Sequence, residues 1–104
     1  RRQFHYITNE FAFHLNLKSD GFKKGDFITW NKDLSSLHFN IENRASNPHQ
    51  VQLELQGVAP GEYELFVDKK IQQTLSIDDA NIHQLNFPLS QAFSKIEIKQ
   101  NWML

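Results

Sequence analysis

Ionisable and aromatic side chains are the chemical inventory of this chain, because its 104 residues include no Cys. Thiolate metal sites, disulfides and Cys nucleophiles are excluded together, although the absence of Cys does not assign a compartment. Five His remain as candidate metal ligands or bases. His5, His14, His38, His49 and His83 share no HxH or HxxxH spacing, the separations that set two imidazoles on one face of a strand or helix. His14 and His38 fall on polar strand faces and His49 and His83 in loops, while His5 and His14 become neighbours only if the strands that carry them pair. Asp78-Asp79-Ala80-Asn81 offers oxygen ligands to Ca²⁺ but lacks the EF-hand pattern. Asx side chains in a turn bond backbone amides ahead of them without any ion. The expectation is a chain with no metal site and no cofactor.

Glycoside hydrolysis needs two carboxyls roughly 5 to 10 Å apart across a cleft. Glu54, Glu62, Glu64 and Glu97 alternate with apolar neighbours and so take the solvent side of their strands. No Ser-His-Asp set stands out, and the four Gly form neither GxGxxG nor a Walker A sequence. The chain therefore reads as non-catalytic. Its aromatic residues are more informative. A sugar platform needs a flat ring flanked by groups that bond hydroxyls, and Trp30-Asn31-Lys32-Asp33 has that composition. Trp30, Asn31 and Asp33 are the candidate ligand-binding residues, with Phe66 or Trp102 available to widen the surface. The competing place for Trp30 is the core, and for Trp102 the packing of the last strand.

These side chains sit on a scaffold whose dominant signal is period-two alternation. Phe11, Phe13, Leu15 and Leu17 alternate with polar or small residues, as do Leu37, Phe39 and Ile41, then Val51, Leu53 and Leu55, then Tyr63, Leu65 and Val67. Ile71, Leu75 and Ile77 share a parity, and Leu85, Phe87, Leu89, Ile96 and Ile98 continue the pattern. Phe27-Ile28-Thr29-Trp30 is apolar on both sides, as in a central strand or a strand with an exposed aromatic. Ala59-Pro60-Gly61-Glu62 fits a type II turn between two antiparallel strands. The only helix candidate is a turn near Leu89-Ser90-Gln91-Ala92-Phe93, too short to be stable except as a packed connector. Seven or eight half-buried strands joined by short turns predict an all-β, antiparallel two-sheet sandwich, with a small closed barrel as the alternative. Phe66 alone breaks the polar parity of its strand and is the candidate interface residue.

A formal charge of -1, with neither sign gathered into a block, argues against a nucleic-acid surface. No apolar run reaches the ~20 residues that span a bilayer, so no membrane insertion by a helix is expected. Residues 1–104 read as a single domain belonging to a larger protein.

The stretch from Val51 to Lys70, with its Gly57-Val-Ala-Pro60-Gly61-Glu-Tyr63 turn and a strand ending in Asp68, resembles a hairpin that recurs in bacterial β-sandwich modules. Ser76 to Leu89 and Lys95-Ile-Glu-Ile98 resemble the strands that complete such modules, so the likeness covers about residues 51–99. The family is the C-terminal or accessory β-sandwich module of carbohydrate-active enzymes, of glycoside hydrolase or polysaccharide lyase type. Lys69 stands where that pattern has Gly, so a loop longer than two residues is expected after Asp68. The resemblance implies a non-catalytic role, packing against or orienting a catalytic domain of the same chain, and a periplasmic or extracellular location. Polysaccharide is the other implied partner. The alternatives are a carbohydrate-binding module built on Trp30 and an immunoglobulin- or fibronectin-like protein-interaction domain.

Overall fold

A computed structural model describes residues 2–8, 12–31, 35–78 and 82–101. Asp33, Trp102 and the Asp79 to Asn81 part of the Asx cluster lie outside these described residues. Among the described residues the chain is all-β, with ten strands in two antiparallel sheets. They are β1 (Gln3–Ile7), β2 (Ala12–Leu17), β3 (Gly21–Phe22), β4 (Thr29–Trp30), β5 (Ser36–Glu42), β6 (His49–Gln56), β7 (Gly61–Val67), β8 (Lys70–Ile77), β9 (His83–Leu89) and β10 (Phe93–Gln100). The smaller sheet has the order β1-β2-β6-β9, and the larger β3-β5-β10-β7-β8, with β4 also on β5.

Alternation accounts for the core. Phe13, Leu15 and Leu17 of β2, Val51, Leu53 and Leu55 of β6, and Leu85, Phe87 and Leu89 of β9 are buried from the smaller sheet. They meet Leu37, Phe39, Ile41, Tyr63, Leu65, Ile96 and Ile98 of the larger sheet, as expected of a sandwich. Burying each such side chain contributes about 1.5 to 3 kcal/mol before entropy is counted. The two lateral edges close differently. On one side the rings of Phe4 and Trp30 lie 5.7 Å apart and join β1 to β4, whereas on the other the Gln73 amide donates 2.8 Å across to the Asn86 carbonyl.

Four local expectations are corrected. The first concerns Pro60-Gly61, which does not join paired strands. β6 lies in the smaller sheet and β7 in the larger, so residues 57–60 cross between them. Gly61 has φ 149°, well beyond the value near 80° of a type II turn. The corner is tied by Tyr63, whose hydroxyl donates to the Ala59 carbonyl at 2.5 Å, a device of Greek-key sandwiches at such crossings. Gly57 is required here, because at φ 95° a Cβ would stand 2.1 Å from the Ala12 carbonyl oxygen.

The second concerns Asp68 and Lys69, which form a tight two-residue hairpin rather than a longer loop. Both take positive φ, 51° and 71°, and Val67 pairs directly with Lys70. Lys69 bears the strain of the left-handed region, roughly 1 to 2 kcal/mol. Two bonds to β10 offset it: Asp68 N–H donates to the Lys95 carbonyl at 2.8 Å, and Lys95 N–H to the Asp68 carboxylate at 2.9 Å.

The third is a β-bulge. Leu65 pairs with Gln73 but Phe66 with Ile71, so Gln72 is an extra residue on β8. The bulge reverses the facing of Ile71, which leaves the core parity it shares in sequence with Leu75 and Ile77 and is 52% exposed. The fourth is the connection after Leu89, which bends through residues 90–92 directly into β10 and contains no helical turn. Phe27-Ile28-Thr29-Trp30 resolves as an edge strand with an exposed aromatic, since Ile28 is buried while Phe27 is 84% exposed.

Candidate functional site

Trp30 ends β4 at the aromatic edge of the sandwich. Its ring centroid lies 4.7 Å from Tyr6, 5.2 Å from Phe13 and 5.7 Å from Phe4, so much of the indole surface packs on β1 and β2. Asn31 follows and holds its own turn. Its side-chain oxygen accepts from the N–H groups of Ser35 and Ser36, both at 2.9 Å, and its amide donates to the Ser35 hydroxyl at 2.8 Å. Asp33, the third residue of the expected set, is outside the described residues.

A cleft of about 900 Å³ opens where β1 approaches β3 and β4. Phe4, Phe22 and Trp30 supply its apolar wall, and Asp26, Glu42 and Arg44 its polar rim. Asp26 is oriented by the Asn40 amide, which donates to it at 2.9 Å, and Lys23 lies 3.8 Å from the same oxygen. This is an apolar floor with a few convergent polar groups, the usual composition of a small-molecule site.

A second site candidate crosses the outer face of the larger sheet. Thr29, His38, Glu97, Phe66 and Ile71 are directly opposed neighbours on successive strands β4, β5, β10, β7 and β8. Glu97 sits at the centre, only 7% exposed although it points away from the core. Its carboxylate lies 3.1 Å from the Lys99 ammonium and 3.3 Å from His38 Nδ1. Burial pushes the Glu97 carboxyl up, but the hydrogen bond and charge of Lys99, helped by Lys95 and His38, outweigh it and hold the group below its ordinary range. A carboxylate kept charged in this way is a poor general acid. Lys99 also stands 5.2 Å over the Phe66 ring, which is half-buried. Beside the row, Phe27 overhangs a depression shared with His38, Asn40 and Lys95.

A third cluster is structural in form. Asp20, 1% exposed, receives His49 Nε2 at 2.8 and 2.9 Å and the Arg44 N–H at 3.3 Å. His49 Nδ1 donates to the Asn47 carbonyl at 2.9 Å, so both ring nitrogens face acceptors. That backbone bond and then the Asp20 bond raise the His49 pKa and, with a lesser contribution from the Asp20 charge, outweigh the opposing effect of burial. Neither residue is marked by spacing, since they lie 29 positions apart and meet only because β3 and β6 emerge at the same end. His5 and His14 do become neighbours, because β1 and β2 pair.

Among the described residues no three His, Asp or Glu converge on one metal position, and no helix is long and apolar enough to cross a membrane. Comparison with protein-family models, curated proteins and solved structures gives no match.

Proposed function

We propose that this chain is a non-catalytic β-sandwich module of a polysaccharide-degrading enzyme, and that it packs against a neighbouring catalytic domain through the outer face of its larger sheet. The observation that carries the docking part is the contrast between the two outer faces. The smaller sheet turns Gln52, Glu54, Gln56, Gln84 and Asn86 outward, a polar surface suited to water. On the larger sheet Phe66, Ile71 and the exposed Phe27 flank an acid that Lys99 pairs and His38 contacts. A neighbour covering the Phe66 and Ile71 part of that face gains apolar area around an acid already paired with Lys99, which is what an interdomain contact needs. The polysaccharide context rests on the resemblance of residues 51–99.

The reading predicts no turnover of chromogenic glycosides, esters or soluble polysaccharides by the chain. Hydrolysis abolished by Glu97→Gln or Glu42→Gln would overturn it.

A second reading, a carbohydrate-binding module, is favoured by the cleft beside Trp30, with its ring-lined wall and its Asp26, Glu42 and Arg44 rim. Retardation of the chain by a polysaccharide in an affinity gel, relieved by Arg44→Ala, would select it over the docking role. Unchanged mobility across a glycan panel would dismiss it.

A further inference from the structure

The smaller sheet carries one feature that neither the docking face nor the cleft uses. His5 on β1 and His14 on β2 are directly opposed in the antiparallel register, while Phe4 and Phe13, their neighbours on the other parity, pack inward at 5.8 Å. Both imidazoles therefore stand on the outer face, on Cβ atoms that an opposed pair holds roughly 4.5 to 5.5 Å apart. Their rings meet edge-on, with centroids 4.4 Å apart and planes at 73°, and the two Nδ1 atoms face each other within hydrogen-bond distance. A recess of about 150 Å³ around them is lined by Asn16, Glu54, Gln56 and Ile82, with no Lys or Arg among its lining residues. The Asn16 amide donates to Glu54 at 2.9 Å and holds that carboxylate at the recess wall.

We propose that His5 and His14 form a two-imidazole chelate for a divalent first-row transition-metal ion, taking Cu²⁺ in preference to Zn²⁺. The geometry points to this because both ring nitrogens that face each other carry a lone pair when unprotonated, and imidazole reaches such ions at about 2.0 to 2.1 Å. Two imidazoles on opposed strands can share one ion once their rings rotate apart, since both side chains stand on the outer face, and the recess leaves space for water at the other coordination positions. No third His, Asp or Glu among the described residues completes the set, so the site is open rather than closed. The order of metals follows the general preference of nitrogen donors, which is greatest for Cu²⁺. The negative wall at Glu54 and the absence of a lining cation favour a cationic occupant over an anion. An ion bridging β1 and β2 would also pin the exposed edge strand to its sheet.

The test titrates the chain with CuCl₂ and, separately, ZnCl₂. One ion per chain is expected, with a Cu²⁺ paramagnetic resonance spectrum showing two equivalent nitrogens and a metal-dependent rise in the unfolding temperature. His5→Gln and His14→Gln should each weaken Cu²⁺ binding at least tenfold and reduce the spectrum to one nitrogen. Circular dichroism checks that each variant keeps its sheet content. His38→Gln, on the opposite outer face, should leave binding unchanged. Absence of a one-to-one complex, a two-nitrogen spectrum that survives His5→Gln, or an equal loss in His38→Gln would overturn the proposal, as would tighter binding of Zn²⁺ than of Cu²⁺.

Discussion

Leu65 and Phe66 are consecutive in β7 and meet opposite surroundings. Leu65 is fully buried between the sheets, facing the Leu and Phe side chains of the smaller sheet, whereas Phe66 lies half-covered on the outer face beside Glu97 and under Lys99. The inner face is made of one kind of contact, apolar on apolar, and its loss is felt wherever it is cut. The outer face combines a paired acid, a cation over a ring and unpaired apolar area, which is a poor way to stabilise a fold and a good way to present a surface. The stabilising face and the proposed recognition face are thus separated by the thickness of one sheet.

The largest effect should come from the inner face. Leu65→Ala and Leu53→Ala should each cost about 2 to 5 kcal/mol, since both side chains are fully buried and leave a cavity. Gln52→Ala and Glu64→Ala, on the other parity, should change little. Urea midpoints of the four variants measure this, and equal losses at both parities would erase the distinction between the faces.

Next in size is the corner that carries the chain between the sheets. Gly61→Val places a β-branched residue at φ 149°, where a Cβ would also meet the Gln100 amide nitrogen at 2.1 Å. A loss of roughly 1 to 3 kcal/mol is expected. An unchanged denaturation midpoint would mean that the corner relaxes freely and that the crossing does not depend on Gly.

Much of this architecture is legible in the residues, and the gaps have a common cause. Alternation alone assigns Leu15, Leu37, Leu53 and Leu65 to one core, because a strand with one wet face has no other way to hide them. It cannot say which strand pairs with which. Pro60-Gly61 serves a hairpin or a crossing equally well, and the choice is made by β10, which takes the place beside β7 that β6 would otherwise fill. Glu97 shows the same limit. Its outward parity follows from Ile96 and Ile98, but its burial depends on having His38 on one side and Phe66 on the other, which only sheet order provides. Ile71 departs from the alternation for a local reason, since a single extra residue on β8 reverses its facing relative to Leu75 and Ile77. Of the cleft, only Trp30 is suggested by the sequence; Arg44 and Glu42 join it from the end of β5 and the loop after it.

The two charged clusters should separate on a pH axis. His49 has a pKa raised above its ordinary 6.5, so its latch stabilises fully below that value and is lost as pH rises through the raised one. Glu97 is lowered from 4.5, so its contribution is present above that value and is lost as pH falls through the lowered one. Urea midpoints followed from acid to mildly alkaline pH should therefore fall at both ends. His49→Gln should flatten the alkaline side alone, and Glu97→Gln the acid side alone. A profile altered at the same end by both variants would contradict the assignment of the two clusters to separate regions.

The smallest effect on the chain itself is expected at Phe66, and it bears most on function. Phe66→Ser removes a ring that is half-buried and covered by Lys99, so it should cost on the order of 1 kcal/mol, well below the loss at Leu65. Ile71→Ser, opposite it across the bulge and 52% exposed, should cost still less. In a longer chain that joins these residues to the proposed catalytic neighbour, the same pair of substitutions should lower the unfolding temperature by more than it does in these residues alone, because the docked face would there exclude water from both side chains. The comparison of the two shifts is the measurement, and it separates the outcomes cleanly. Equal shifts would mean that the outer face meets no neighbour. A loss of several kcal/mol in the module alone would mean that Phe66 belongs to the core after all, and the division between an inner face that folds and an outer face that binds would have to be redrawn around β7.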